Sequence, residues 1–229
     1  MWLLLINRNS GNGRGEKVGR IVKEELAALD IQYIDISANS AKQCQENLKN
    51  GLTSSQSYEG LFLVGGDGTL NIAIQDLVNT RLGVALIPAG TGNDFARAVG
   101  VNGKSTKQIF DLITTEQPTK LDLGKISSSS GVRWYVQVLS TGFDAVVNSL
   151  ANKITWPKGK SKYTIATILI ISRFKPISYQ IEIDGKKLDQ NAMLLSIGNG
   201  ESYGGGMRIC PGASNTDGLL DVLLVRPVS

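Results

Sequence analysis

The sequence predicts an α/β fold: a Rossmann-like domain on a parallel sheet over residues 1–119, followed by a β-rich, sandwich-like second domain over residues 120–229. Three observations carry this expectation. Short apolar, β-rich runs alternate with helical segments through the first half, the pattern of a parallel sheet covered by helices. Strand-like runs there pass directly into glycine-rich loops. Beyond about Thr119 the texture changes to successive β-rich runs, with Asp184-Gly185 as a hairpin turn.

In order, Trp2–Ile6 reads as the first strand and ends in the polar loop Asn7 to Gly15. A helix is expected from about Glu16 to Leu29, with Val18, Ile21, Val22 and Leu26 on one face. Tyr33–Ile36 is the second strand, Ala41–Leu52 a polar helix and Gly60–Val64 the third strand. That strand enters Gly65-Gly66-Asp67-Gly68-Thr69; helix Leu70–Val78, strand Gly83–Ile87 and a second loop, Pro88 to Asp94, follow. Further on, Lys120–Ile126, Trp134–Leu139, Tyr179–Ile183 and Ala192–Ile197 read as strands. Ser127 to Gly131 is expected to be a flexible connection, and Ser161–Phe174 an interrupting helix.

Composition narrows the chemistry. With 41% hydrophobic and 19% charged residues among 229, the chain buries a core and is no disordered polyelectrolyte. It contains no histidine, which removes Ser-His and Cys-His nucleophile pairs and the commonest transition-metal ligand. Acid–base work is left to Asp, Glu, Lys or Tyr, and any metal to oxygen ligands that suit a hard cation. Cys44 and Cys210 lie far apart and read as reduced thiols, which points to a cytoplasmic location. The longest apolar stretch, Thr164 to Ile171, is too short to span a bilayer, so no transmembrane segment is expected. A net charge of +4 mildly favours anionic partners such as nucleotides or acidic lipid surfaces; no nucleic-acid partner is expected. Lys153, Lys158, Lys160 and Lys162 surround Trp156 ahead of the apolar run Tyr163 to Phe174, a pattern that suits peripheral contact with the inner membrane surface.

The glycine-rich turns carry the chemistry. In Gly65-Gly66-Asp67-Gly68-Thr69 the glycines let the backbone turn sharply and approach a phosphate, and the amides opening the next helix point at the anion. Asp67 is the acid of the turn: it either holds magnesium against the phosphates or polarises a nucleophile, and it is expected to contribute little to the core. The second loop offers amides, a hydroxyl and a carboxamide from Gly90, Thr91, Gly92 and Asn93. The first loop adds Asn7, with Ser10 and Arg14 as phosphate donors. All three loops follow strands of one sheet and so share its carboxyl edge, where ligands of open α/β sheets bind.

Gly65-Gly66-Asp67-Gly68-Thr69-Leu70-Asn71, followed by Ile87-Pro88-Ala89-Gly90-Thr91-Gly92-Asn93-Asp94-Phe95-Ala96-Arg97, resembles the paired signature of the diacylglycerol kinase catalytic-domain family. That family includes bacterial lipid kinases, sphingosine kinases and ceramide kinases. Leu121-Asp122-Leu123-Gly124, Gly142-Phe143-Asp144-Ala145, Gly204-Gly205-Gly206-Met207 and Asp217-Gly218-Leu219-Leu220-Asp221 extend the likeness along the chain. The resemblance implies ATP contacts at Ser37, at Gly65 through Asn71 (Leu70 included) and at Thr91. It also implies magnesium (Mg2+) at Asp217 with the backbone carbonyls of Ser214 and Leu219. The chain departs from the family at Gln137, where asparagine is frequent, and at Gly212 and Thr216, where acids are frequent. Family members also carry a later Asp-Gly-Glu motif, thought to supply the general base, beyond the point that corresponds to Ser229. The β-rich domain is therefore expected to be truncated and the turnover of this chain low, with Asp67 or Asp94 left as the base. The implied activity is transfer of the γ-phosphoryl group of ATP to a lipid hydroxyl, of diacylglycerol or a related lipid. The alternatives are an NAD kinase-like enzyme, which shares the first turn, and a nucleotide-binding regulatory protein without turnover.

Overall fold

The computed structural model describes residues 1–78, 80–156, 160–171 and 173–227; Lys158, Ser172 and Ser229, which enter the expectations above, lie outside them. Strands β1 (Trp2–Ile6), β2 (Tyr33–Asp35), β3 (Gly60–Gly65) and β4 (Gly83–Pro88) form a parallel sheet in the order β2-β1-β3-β4. Helices α1 (Ser10–Ala28), α2 (Ala41–Thr53) and α3 (Asp67–Leu77) make the crossovers, and α4 (Asp94–Ala98) and α5 (Thr106–Thr115) follow β4.

The period-2 alternation of strand side chains divides the core into two layers. Leu3, Leu5, Leu61, Leu63 and Leu86 meet Leu48 of α2 and Leu70, Ile74 and Leu77 of α3. Leu4, Ile6, Phe62, Val64, Ala85 and Ile87 meet Val22 and Leu26 of α1 and Ile109 and Phe110 of α5. Burial on both faces is why the central strands read as unbroken apolar runs. Each such side chain contributes about 1.5–3 kcal/mol of transfer free energy. Phe62 anchors one layer, its ring 5.2 Å from that of Phe110 and 4.4 Å from that of Trp2.

Within α1, Gly11, Asn12 and Gly13 adopt left-handed φ angles of 58°, 59° and 90°, so the regular helix starts only after Gly13, close to the expected Glu16. Helix α5, absent from the expected elements, opens with a capping box: the Ser105 hydroxyl accepts from Gln108 N and the Gln108 side chain accepts from Ser105 N.

The second half is antiparallel. Strands β5 (Gly124–Ser128) and β6 (Gly131–Tyr135) form a hairpin, and β7 (Val138–Gly142) leads into α6 (Phe143–Lys153) and α7 (Lys160–Ile171). A second hairpin joins β8 (Ile177–Ile183) to β9 (Lys186–Ala192) through Asp184-Gly185, whose φ angles of 49° and 78° suit a primed turn. Strand β10 (Leu194–Gly198) precedes the ribbon of β11 (Ser202–Tyr203) and β12 (Met207–Arg208), and β13 (Asp221–Val225) completes the sheet β13-β10-β7.

Several expectations change here. The first strand of this half starts at Gly124 instead of Lys120. Ser127 to Gly131 is the closed end of a hairpin rather than a flexible connection, with Ser128 paired to Gly131. The expected strand Trp134–Leu139 divides between β6 and β7, because the Gln137 carbonyl accepts from Asn199 N at 2.7 Å and Gly200 N at 2.9 Å and draws the chain into another sheet. The expected strand Ala192–Ile197 is interrupted at Met193, whose amide and carbonyl bond to Val225 and Phe143. Among the described residues no helix is long and apolar enough to cross a membrane.

Candidate active site

The three strand-to-helix loops meet at the carboxyl edge of the parallel sheet and are locked to one another. Asn7 Nδ2 donates to Thr69 Oγ1 at 2.8 Å, tying the first loop to the second. Arg14 donates to the carbonyls of Ala89 and Gly90, so it braces the third loop. A side chain at Gly11 would place its Cβ 2.2 Å from the Ala89 carbonyl oxygen, and one at Gly66 would come within 2.8 Å of Gly90 Cα. Glycine is required at these positions because backbone passes against backbone.

The result is a cleft of about 390 Å³ lined by Asn7, Ser10, Gly66, Asp67, Gly68, Thr69 and Thr91, with Gly11, Ile72, Gly90 and Gly92. Gly66 precedes α3, and the amides of Asp67 and Gly68 take no acceptor from the described residues. Free amides at the start of an eleven-residue helix form an anion cradle.

A second cleft of about 300 Å³ adjoins the first and shares Asp67 and Gly68 with it. Its walls come from both halves of the chain: Leu70, Asn71, Asp94 and Phe95 on one side, and Tyr135, Val136, Gln137, Val138, Ser202, Tyr203 and Gly204 on the other. Gln75 of α3 helps to hold these walls together, donating to the Trp134 carbonyl at 2.9 Å and accepting from Trp134 N at 3.1 Å.

The two acids of the loops are engaged by backbone. Asp67 accepts from Asp94 N at 3.1 Å and Phe95 N at 3.0 Å, so it caps α4 from across the cleft. Far from contributing little, it joins the second loop to the third. Asp94 is 4% exposed and accepts from Gly205 N at 2.7 Å, Gly206 N at 2.6 Å, Ser202 Oγ at 3.3 Å and Arg97 Nη1 at 3.2 Å. It thus pins the third loop to the glycine turn of the second half.

The other expected contacts divide. Leu70 and Asn71 line the second cleft instead of the first. Gly65 ends β3 against the Thr69 side chain. Ser37 lines neither cleft; its hydroxyl accepts from Ile6 N at 2.8 Å and ties β2 to β1. Asn93 is buried, with φ 54° and a side-chain oxygen that has no partner among the described residues.

At the expected metal position, Asp217 accepts from Leu219 N at 3.0 Å, and Gly218 N donates to Asp122 at 2.7 Å. The backbone carbonyls of Ser214 and Leu219 accept no backbone hydrogen bond from the described residues, which leaves an oxygen donor set that fits a hard cation. No group of three His, Cys, Asp or Glu side chains is placed to hold a metal among the described residues.

Sequence reasoning assigned no role to Asp144 and did not single out Tyr203. The Tyr203 hydroxyl donates to Asp144, whose carboxyl is raised above the usual range by burial and partly lowered again by the Ser140 hydroxyl. Asp144 was visible in Gly142-Phe143-Asp144-Ala145, but its partner lies 59 residues away and no spacing could have joined them.

A parallel-sheet lobe with an anion cradle, closed over a shared cleft by an antiparallel lobe, is the architecture of a two-lobed α/β kinase. Residues 1–126 match the family model described as the diacylglycerol kinase catalytic domain, and residues 137–229 match the YegS C-terminal NAD kinase beta sandwich-like domain. The chain belongs to the diacylglycerol kinase catalytic-domain family, a family of lipid kinases. It is 34% identical over 224 residues to a diacylglycerol kinase of Mycobacterium tuberculosis, covering 97% of this chain and 72% of that protein. It is 27% identical to a probable lipid kinase YegS-like of Stenotrophomonas maltophilia, covering 98% of this chain and 73% of that protein. The solved structure of a putative diacylglycerol kinase from Bacillus anthracis shares the fold, with a TM-score of 0.78 at 24% identity over 98% of this chain and 75% of that one.

Proposed function

We propose that this chain transfers the γ-phosphoryl group of ATP to a hydroxyl of diacylglycerol or a related lipid. The observation that carries the reading is the junction of two unlike clefts at Asp67 and Gly68. One is made of glycine backbone and free amides and suits nucleotide phosphates. The other has an apolar wall of Leu70, Phe95, Val136 and Val138 and suits the polar end of a lipid. A phosphoryl group moving between them crosses the shared pair. The amides of Asp67 and Gly68 stabilise its charge, while Thr69, Asn7 and Thr91 orient the nucleotide. Each Asp67 oxygen accepts one amide and keeps a further acceptor direction towards the cleft, so Asp67 is the residue that would hold magnesium on the phosphates. When bound, magnesium supplies neutralisation of charge on the phosphoryl oxygens. Ser214, Asp217 and Leu219 would hold a second cation away from the cleft, as a brace for their turn. In the transfer, the acceptor oxygen forms a bond to the γ-phosphorus, the bond to the bridging oxygen of ADP breaks, and the hydroxyl proton is released to water.

The acceptor resides in a bilayer, and the second half offers a surface to meet one. Trp156 is 84% exposed, and α7 packs on α6 through Ala166 while leaving Ile168 and Ile171 64% and 62% exposed. Lys153, Lys162, Arg173 and Lys175 flank this face, which we assign to peripheral contact with anionic lipid.

The test is phosphotransfer by the chain with ATP and magnesium, offered 1,2-dioctanoylglycerol, phosphatidylglycerol, sphingosine or NAD. A phosphorylated lipid is the expected product. Phosphorylation of NAD alone, or ATP binding without transfer to any acceptor, would overturn the reading.

A further inference from the structure

Tyr203 lines the shared cleft with its hydroxyl held in place. It donates to Asp144 Oδ2, which also accepts from Ser140 Oγ at 3.2 Å. Ser140 Oγ lies 2.9 Å from the fully buried Ser196 hydroxyl on the adjacent strand. Strands β7, β10 and β11 and helix α6 each contribute one member, so the direction of the phenol is fixed by four elements. Asp144 stands in the first turn of α6, where the helix dipole favours a carboxylate, and the Ser140 hydroxyl bond offsets part of the burial that raises its pKa. A phenylalanine would fill the same stretch of cleft wall without requiring a half-buried acid behind it.

We propose that Tyr203 receives the free hydroxyl of the lipid acceptor, and that Asp144 is a positioning residue acting through it. The inference rests on assigning the Tyr203 cleft to the acceptor. A phenol that gives its proton to Asp144 keeps its oxygen lone pairs for the cleft. An alcohol entering beside Leu70 and Val138 then donates its proton to Tyr203 Oη. Its own lone pairs remain free to face Asp67 and Gly68 on the opposite wall. The ligand class is an alcohol at the polar end of an apolar molecule; an analogue without that proton has nothing to give Tyr203.

The experiment uses the full chain with a non-hydrolysable ATP analogue and magnesium, and measures binding of 1,2-dioctanoylglycerol against its deoxy analogue, the dioctanoate of 1,2-propanediol. The wild type should prefer the alcohol about five- to ten-fold, the free-energy range of one hydrogen bond. Tyr203→Phe should bind both compounds alike, at the level of the deoxy analogue. Asp144→Asn should keep part of the preference and Asp144→Ala should lose it, with unfolding midpoints recorded so that misfolding is seen. A merely structural pair would change both affinities together and leave their ratio intact. Tyr203→Phe with the wild-type ratio overturns the proposal. So does a wild type that transfers phosphate yet ignores the hydroxyl, which removes Tyr203 and spares the acceptor cleft. A wild type that binds neither compound removes the cleft assignment and the proposal together.

Discussion

Asp94→Ala should loosen the second half of the chain from the first. The carboxylate is 4% exposed and accepts two amide bonds, from Gly205 at 2.7 Å and Gly206 at 2.6 Å. Bonds to a charged acceptor contribute about 1.5–3 kcal/mol each, so the pair amounts to roughly 3–6 kcal/mol. The Arg97 partner is 43% exposed and adds about 0.5 kcal/mol after solvent screening. Removing the acid also relieves the cost of burying a charge, which brings the expected net loss down to about 3–4 kcal/mol. With a urea slope of about 3 kcal/mol/M, the midpoint should fall by about 1 M. Tryptophan fluorescence is a suitable probe, because Trp134 sits where α3 meets β6. The latch joins two halves, so the transition should also broaden or split as the β-rich half opens first. Asp94→Asn keeps one acceptor and turns a donor towards the other amide, and should fall between the two. A single transition for Asp94→Ala within about 0.5 kcal/mol of the wild type, the range of a neutral surface change, would refute the latch.

Asp67→Ala removes the cap on α4 and should cost about 2–3 kcal/mol as well as phosphotransfer, whereas Asp67→Asn, which keeps one of the two acceptors, should recover part of the stability but not transfer, by urea titration and lipid phosphorylation. Equal transfer by Asp67→Asn and the wild type would exclude a metal-holding role. Gly66→Ala forces a Cβ to within 2.8 Å of Gly90 Cα, and should cost about 1–3 kcal/mol and weaken ATP binding by at least ten-fold in a calorimetric titration. Vesicle co-sedimentation should require anionic lipid, weaken with salt and fall when Trp156 and Ile168 become serine and Lys153 and Lys162 become glutamine. Binding indifferent to all of these removes the α6–α7 face from membrane contact.

The parallel sheet was legible because strands buried on both faces leave continuous apolar runs, and its loops were legible because glycines and an acid punctuate the strand ends. Ser105 and Gln108 also mark a helix start, and Ile109, Phe110 and Ile113 supply an apolar face behind them, so α5 was legible in the sequence and was overlooked. Helix α6 was hidden: it begins directly from β7 at Gly142, whose φ of 92° turns the chain without a side-chain cap. Gln137 could not reveal that it splits a strand, since its carbonyl partners lie at Asn199 and Gly200. The site shows the same limit. The anion cradle is local and could be read, but the second cleft exists only once Asp94 and Gln75 dock one half on the other. Asp67 was recognised as important, while its bonds to residues 27 and 28 positions away belong to tertiary structure.

The contact between Gly66 and Gly90 has an evolutionary corollary. Each loop leaves a strand of the same sheet, and Ala89 N bonds the Gly65 carbonyl at 2.7 Å, so neither can retreat from the other. A side chain gained by one cannot be accommodated by shrinking the other, because nothing smaller than glycine exists. Suppressors of Gly66→Ala should therefore never map to Gly90; they should arise where a smaller core residue lets a whole strand slide. The two turns therefore behave as one object, and a change of backbone path at either should be tolerated only with a matching change at the other.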